Sequence, residues 1–243
     1  MRITFIRHAE SVNNYLWFKN ASYEGGSSDA PISDFGKQQA QALGDHLAAH
    51  RDTFAFNRIY ISPFMRTLQT AAVFSHLYEG IPQLVWPWIY EGGGVHSTNF
   101  ETGEHIISGG LRRSEMQAQF PRFSLDDSIN EEGWYHLGML EPVYHRSYRA
   151  NYVLHTLLEQ FGESEEHIAL VSHGGFHNHL INAILGDTRQ EKVWIDLENT
   201  AMSSFYYGRD LGESAEEGWW RIEYINRCEW LGSDLRRDWS QRF

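Results

Sequence analysis

The chain has 243 residues, a length at which α/β folds commonly form one unit, so a single domain spanning 1–243 with a substantial insertion is expected. Hydrophobic residues make up 42% and charged residues 21%, which excludes a disordered or coiled-coil chain. Twenty Lys and Arg against 32 Asp and Glu give a net charge of -12, which disfavours nucleic acid and anionic membranes as partners.

The first predicted element is a short β-rich strand, Ile3–Ile6, that ends abruptly at Arg7 and His8. Further along the chain, apolar residues at helical spacing predict helices, and short apolar runs predict strands. These elements are helix Ser33–His50, strand Asn57–Ile61, helix Met65–Tyr78, strand Gln83–Trp88, helix Tyr144–Phe161, strand His167–Val171, helix Phe176–Leu185, and strands Ser203–Tyr207 and Trp219–Ile225. Their alternation predicts an α/β fold with a mostly parallel central sheet, helices on both faces, and ligands at the carboxyl ends of the strands.

The periodic pattern weakens between Gly92 and Pro142. Glycines at 92–94 and 109–110 bracket a polar segment, and a short helix is predicted at Ser114–Phe120. We interpret 92–142 as a cap-like insertion.

Cysteine usage and hydropathy indicate the compartment. The one cysteine, Cys228, excludes an intramolecular disulfide and a cysteine-based zinc site, as expected in a reducing cytoplasm. No stretch approaches the roughly 18 consecutive apolar residues of a spanning helix, and the first residues lack the apolar core of an export signal. A cytoplasmic location is therefore expected.

Two segments share one design, in which an apolar strand runs into a histidine: FIRHAES at His8 and LVSHGGF at His173. Strand Asn57–Ile61 likewise runs into SPFMR and delivers Arg66 to the same sheet edge. Two imidazoles across one crevice suit phosphoryl transfer, in which one is the nucleophile and the other stabilises charge.

An ordered set of motifs resembles the histidine phosphatase superfamily, whose relatives include cofactor-dependent phosphoglycerate mutases. The motifs are FIRHAESVNN, SPFMRTLQTA, EGGG after the third strand, and VSHGG, with shorter similarities in ISDFGKQQA and ENTAMSSFYY. They follow the family order over roughly the whole chain. The resemblance implies a phosphoglycerate mutase-like fold.

The resemblance also implies roles for individual residues. His8 is expected to be the nucleophile, while Arg7, Arg66 and His173 form a clamp around the phosphoryl oxygens and Asn14 adds a neutral donor. The fixed fork of arginine suits phosphate, and flanking cations favour the neutral form of the histidine, which an attacking nitrogen requires.

Glu91 occupies the family position of the general acid, at the end of the third strand before glycines. A phosphate dianion nearby favours its protonated, donating form, and the carboxylate could then act as base for water. Glu101 and Glu104 are alternative acids. One departure from the family is Ala9, where many relatives have glycine.

Two further clusters remain open. His173, His177 and His179 could bind zinc. However, no carboxylate lies within the segment, and His173 should precede the helix, so no metal is expected. His177 and His179 are interpreted as polar helix residues. Four arginines could bind a second anionic group of the substrate, although charged helix residues are usually solvated: Arg112, Arg113, Arg146 and Arg149.

The sequence therefore predicts a phosphatase for a small phosphomonoester, acting through phosphohistidine without a cofactor or metal. A phosphomutase using the same site is the nearest alternative. A protein that binds a phosphorylated partner without turnover is a hypothesis of another class. The oligomeric state is not predicted.

Overall fold

The computed structural model describes residues 1–186, 194–209 and 218–237. The strands in these residues are β1 (Arg2–Arg7), β2 (Arg58–Ile61), β3 (Gln83–Val85), β4 (His96–Thr98), β5 (His105–Ile107), β6 (Ser124–Leu125), β7 (His167–Ser172), β8 (Met202–Gly208) and β9 (Trp219–Arg227). Seven of these described strands form one sheet in the order β6-β3-β2-β7-β1-β8-β9, and β4 and β5 form a hairpin. Within the seven-stranded sheet, β8 and β9 pair antiparallel and the other pairs are parallel, so the predicted, mostly parallel sheet is confirmed.

The described helices are α1 (Val12–Asn20), α2 (Asp34–Ala49), α3 (Met65–Phe74), α4 (Arg113–Gln119), α5 (Val143–Phe161) and α6 (Gly174–Ile184). Alternate residues of β7 face opposite sides of the sheet, as the two-residue period of a strand requires. Ala169 and Val171 pack with α2 and α3, while Ile168 and Leu170 pack with α5 and α6. Helices thus cover both faces, and no described helix has the length and apolar character needed to cross a lipid bilayer.

The central pair of strands positions the two histidines. Strands β1 and β7 are parallel, and their last residues, Arg7 and Ser172, pair directly. His8 and His173 each follow one of these residues, so both leave the sheet at the same edge. Because parallel strands are buried on both faces, their sequences are almost continuously apolar, which made them recognisable.

Two predicted elements are shorter than expected. The run Met65–Tyr78 is an α-helix only to Phe74 and continues as a 3-10 helix. Strand β3 ends at Val85 instead of Trp88, because Pro87 has no N–H to donate to a sheet and begins a short 3-10 helix.

Helix α1 was not predicted, because none of its residues is buried and its apolar residues form no stripe. Its first turn is fixed by a reciprocal capping box. The Ser11 hydroxyl accepts the Asn14 N–H at 3.1 Å, and the Asn14 side-chain oxygen accepts the Ser11 N–H at 3.2 Å.

The segment 92–142 contains the β4–β5 hairpin, α4 and β6. Strand β6 pairs in parallel with β3, so this segment returns to the edge of the main sheet before it ends. Helix α4 agrees with the helix predicted at Ser114–Phe120 to within one residue at each end. The hairpin and β6 are too short to give a sequence pattern.

Candidate active site

Five of the six predicted site residues line one cavity of about 570 Å³ at the carboxyl edge of the sheet. They are Arg7, His8, Asn14, Arg66 and Glu91. His173 is not part of the lining. Its ring is fully buried beside that of His8, with the ring centroids 5.1 Å apart.

The ring of His8 is held in one orientation. Its Nδ1 lies 2.7 Å from the Ala9 carbonyl oxygen, so we assign the ring proton to Nδ1 and the lone pair to Nε2. Burial, and secondarily the charges of Arg66 and Arg7, lower the pKa of His8 well below its usual range. The sequence predicted a neutral His8 ring because of the flanking cations. In the structure, burial is the larger cause and the cations are the smaller one. Its Nε2 accepts a 3.2 Å hydrogen bond from Arg66 Nε.

Backbone contacts fix the turn that carries His8. The Ala9 N–H donates to Thr70 Oγ1 at 3.0 Å, and Asn199 Nδ2 donates to the His8 carbonyl oxygen at 3.0 Å. The methyl group of Ala9, which many relatives lack, packs in a small apolar cluster with Ile32 and Ala40. Alanine is therefore accommodated by the core at this turn.

The two arginines reach the cavity differently. Arg7 donates from Nη1 to the Leu197 carbonyl oxygen, and its buried Nε has no hydrogen-bond partner among the described residues. The guanidinium carbon of Arg66 lies 4.1 Å from the centroid of the Phe64 ring, which supports it from one side. Both guanidinium groups thus retain donors for an anion.

Asp29 is a charged neighbour of Arg66 that sequence reasoning missed. Its Oδ1 accepts the Met65 N–H at 2.8 Å at the start of α3, and its Oδ2 is buried without a partner among the described residues. Burial raises the pKa of Asp29 to about 6, although the charge of Arg66 opposes the shift. The group therefore ionises within the range of ordinary assay conditions.

Asp29→Asn is expected to have a higher free energy of unfolding than the unchanged protein at neutral pH, and this difference should shrink as the pH falls. In the unfolded chain the carboxyl ionises near its ordinary pKa of 3.8, but in the folded protein near 6. Because the folded pKa is raised, the Asp29 carboxyl contributes stability to the unchanged protein below about pH 4. That contribution, about 2 to 3 kcal/mol in all, is lost as the pH rises through about 6. Asparagine mimics the protonated carboxyl and keeps the oxygen that accepts the Met65 N–H.

Denaturant unfolding at pH 4 and pH 7.5 measures this difference between the two proteins. Asp52→Asn, at an exposed carboxylate, serves as the control and should show no comparable change with pH. Equal pH dependence in the unchanged protein and in Asp29→Asn would contradict the raised pKa of Asp29.

Glu91 is fixed between two backbone donors. Its Oε1 accepts the Gly92 N–H at 2.8 Å, and its Oε2 accepts the Gly175 N–H at 3.2 Å in the first turn of α6. A Cβ at position 175 would collide with the Glu91 carboxylate, so the second glycine of VSHGG is required by close approach. The carboxylate is thereby anchored at the helix N-terminus, where negative charge is favoured.

A buried ion pair supports the loop that carries Glu91. Glu141 accepts hydrogen bonds from Arg149 Nε at 2.9 Å and Nη2 at 3.1 Å, and from the Tyr90 hydroxyl at 2.8 Å. Arg149 Nη1 also donates to the carbonyl oxygens of Trp88 and Tyr90. Burial alone would raise the pKa of Glu141, but Arg149 holds it below its ordinary value.

His173 precedes the first turn of α6 at the N-cap position, as predicted, and its ring packs between Phe64 and His8, with both centroid separations 5.1 Å. Burial, followed by the charge of Arg66, lowers its pKa well below the usual range, so the ring is neutral. Its Nε2 lies 2.7 Å from Ser62 Oγ, and its Nδ1 has no partner among the described residues. When Ser62 donates to Nε2, Nδ1 carries the ring proton as a free donor.

The zinc interpretation of His173, His177 and His179 lacks the necessary cluster. In the described part of the chain, no three His, Cys, Asp or Glu side chains are arranged to hold a metal ion. His177 and His179 are buried, with 0% and 3% exposure, because α6 packs against the sheet, and His177 Nε2 lies 2.9 Å from Ser203 Oγ. Both residues lie on α6, as interpreted from the sequence, but their side chains are buried.

Several other predicted candidates lie elsewhere. The alternative acids Glu101 and Glu104 are exposed near the β4–β5 turn and do not line the cavity. The structure adds Tyr23, from the loop after α1, to the lining. Loop aromatics carry no distinctive spacing, so the sequence offered no signal for this residue.

The architecture belongs to the class of α/β proteins that bind ligands outside the carboxyl ends of a mostly parallel sheet. The sequence model of the Histidine phosphatase superfamily (branch 1) matches residues 3–94 and 103–217, and the chain belongs to this family. A search of curated proteins found no match.

Solved structures of phosphatases share the fold. The chain is 20% identical to phosphoserine phosphatase from Entamoeba histolytica in complex with phosphoserine, over 95% of this chain and 98% of that chain, with a TM-score of 0.55. It is 14% identical to the ecdysone phosphate phosphatase from Bombix mori, over 93% of each chain, with a TM-score of 0.62. It is 17% identical to a mycobacterial glucosyl-3-phosphoglycerate phosphatase, over 93% and 99%, with a TM-score of 0.56.

Proposed function

We propose that the protein is a phosphatase that hydrolyses a small phosphomonoester through a phosphohistidine intermediate on His8, without a metal ion. The observation that carries the proposal is the neutral His8 ring, whose Nε2 lone pair points to Arg66 on the wall of the cavity. Membership of the histidine phosphatase superfamily supports the same reaction class.

In the first step, His8 Nε2 attacks phosphorus and forms the N–P bond as the bond to the ester oxygen breaks. Arg66 exchanges its hydrogen bond to Nε2 for one to a phosphoryl oxygen. Arg7 supplies the second guanidinium, and the side-chain amide of Asn14, whose oxygen is occupied by Ser11, has N–H groups available. Glu91 takes up a proton when the phosphate dianion binds beside it, and it gives this proton to the leaving oxygen as the alcohol departs.

In the second step, the Glu91 carboxylate accepts a proton from water as that water attacks phosphorus. The N–P bond breaks, inorganic phosphate leaves, and both His8 and Glu91 return to their starting states. The free Nδ1 of His173 is assigned to the phosphoryl clamp because its ring lies beside that of His8. No residue changes its net protonation over the cycle.

In this proposal, residues 92–142 form a cap on a single domain spanning 1–243. A cap that admits water gives hydrolysis, whereas one that excludes it retains the phosphoryl group for return to another oxygen, as in a phosphomutase. Hydrolysis is favoured in this proposal because three aromatic side chains of the cavity lining, Tyr23, Phe100 and Trp194, are exposed to solvent.

The decisive experiment is incubation of the purified protein with a panel of phosphomonoesters, with and without a chelator, while inorganic phosphate is measured. We expect release that the chelator does not change. Release abolished by the chelator would contradict the metal-free mechanism. Transfer that needs a bisphosphate primer would indicate the mutase, and binding without turnover of any ester would indicate the non-catalytic protein.

A further inference from the structure

Arg146 is a cationic side chain on the cavity wall for which the proposed reaction has no use. It lies on α5, lines the cavity, and is 28% exposed. Its buried Nε has no hydrogen-bond partner in residues 1–186, 194–209 and 218–237. A cation held at a cavity surface with donors unused by the protein is suited to an anionic ligand.

The charge around Arg146 is not balanced by its neighbour. The carboxylate contact of Arg146 is with Glu141 Oε2, at 4.0 Å, which is an ion pair without a hydrogen bond. Glu141 is already occupied by the two-point contact from Arg149 and by hydrogen bonds from Tyr90 and His145. Two arginines therefore share one carboxylate, and the surplus positive charge lies on the cavity side.

The location of Arg146 relates it to the leaving group. Its side chain lies against Gly92, where a Cβ would come within 3.1 Å of Nε and 3.2 Å of Cζ. Gly92 directly follows Glu91, the acid proposed to protonate the leaving oxygen. An anion bound by Arg146 would therefore lie on the leaving-alcohol side of the phosphoryl group.

The rest of this wall consists of hydrogen-bonding groups. His96 and His179 line the cavity with Arg146, and burial lowers the pKa of both rings, with a smaller contribution from the charge of Arg146. Neutral imidazoles beside one fixed cation suit a single anionic group. The other arginines considered from the sequence do not line the cavity, since Arg149 is fully buried against Glu141, and Arg112 and Arg113 lie on or beside α4.

We infer that Arg146 binds a second anionic group, of carboxylate size, carried by the leaving alcohol of the substrate. This rests on the proposed function and narrows its substrates to phosphorylated hydroxy acids and similar compounds. Arg146 would thus determine specificity without taking part in bond breaking.

The test compares two esters that differ at one carbon, 3-phosphoglycerate and glycerol 3-phosphate. The unchanged protein should favour 3-phosphoglycerate in kcat/KM, and Arg146→Gln should lower that preference about tenfold, mainly through KM, while changing glycerol 3-phosphate hydrolysis less than about twofold. Arg112→Gln, which removes an exposed arginine outside the cavity, is the matched control and should leave both unchanged. An unaltered preference, or an equal loss for both esters, would overturn the inference.

A binding measurement keeps this test separate from the proposed function. Calorimetry with His8→Ala should show tighter binding of 3-phosphoglycerate than of glycerol 3-phosphate, and the additional change Arg146→Gln should remove most of the difference. This result is expected even if neither ester is hydrolysed, in which case only the proposed function would fail. Equal affinities for both esters in His8→Ala would refute the role of Arg146.

Discussion

His8→Ala is expected to lower phosphate release at least about 10⁴-fold, because alanine offers no atom that can form a bond to phosphorus. The remaining residues of the cavity would still bind the ester, so affinity should fall far less than turnover. Initial rates of phosphate release from the best ester of the panel measure the effect. Alkaline quenching, under which phosphohistidine survives, should trap a phosphorylated intermediate in the unchanged protein and none in the variant.

His155→Ala is the matched control, since His155 is exposed on α5 away from the cavity. It should retain both turnover and the trapped intermediate. If His8→Ala released phosphate at the full rate, the nucleophile would have to be another group. A phosphoenzyme that persisted in His8→Ala would lead to the same conclusion.

Glu91→Gln is expected to slow hydrolysis of alkyl phosphates about 10²- to 10³-fold, because an alkoxide leaves poorly unless it is protonated. p-Nitrophenyl phosphate, whose leaving group is stable as an anion, should lose much less in its first step. Glutamine is nearly isosteric and keeps one oxygen as an acceptor for Gly92 or Gly175. Comparison of kcat/KM for the two ester types in the variant measures the role of the proton.

Glu101→Gln provides the control, because Glu101 is an exposed carboxylate outside the cavity that was considered as an alternative acid. It should leave the rates with both ester types unchanged. An equal loss of kcat/KM with both esters in Glu91→Gln would indicate that Glu91 only positions other groups. A loss confined to Glu101→Gln would indicate that Glu101 is the general acid.

The sequence predicted the sheet and the residues that its central strands deliver. The four inner residues of β1 and all of β7 are buried, so these strands read as mostly apolar runs and the polar residues that follow are conspicuous. The position of Glu91 was inferred from family resemblance, and the structure gives the physical reason for the glycines around it. Gly175 admits the carboxylate, and Gly92 accommodates the side chain of Arg146.

The contacts that sequence reasoning missed join segments that are far apart in the chain. Asp29 lies in a loop, and its relation to Arg66 depends on the way that loop crosses the start of α3. Arg149 was considered from the sequence as an anion-binding residue, and its buried pairing with Glu141 was not foreseen. Charged residues are rarely buried unless paired, and a pairing partner cannot be read from one sequence.

The strand order also determines when the active site can arise during folding. Strand β1 is made first, but in the finished sheet its neighbours are β7 and β8, both from the last third of the chain. A partly synthesised chain that has formed only β2 and β3 has no partner strand to set the direction of Arg7 and His8. Such distant pairings form slowly, so recovery of turnover during refolding would report completion of the central sheet and would lag behind collapse of the chain.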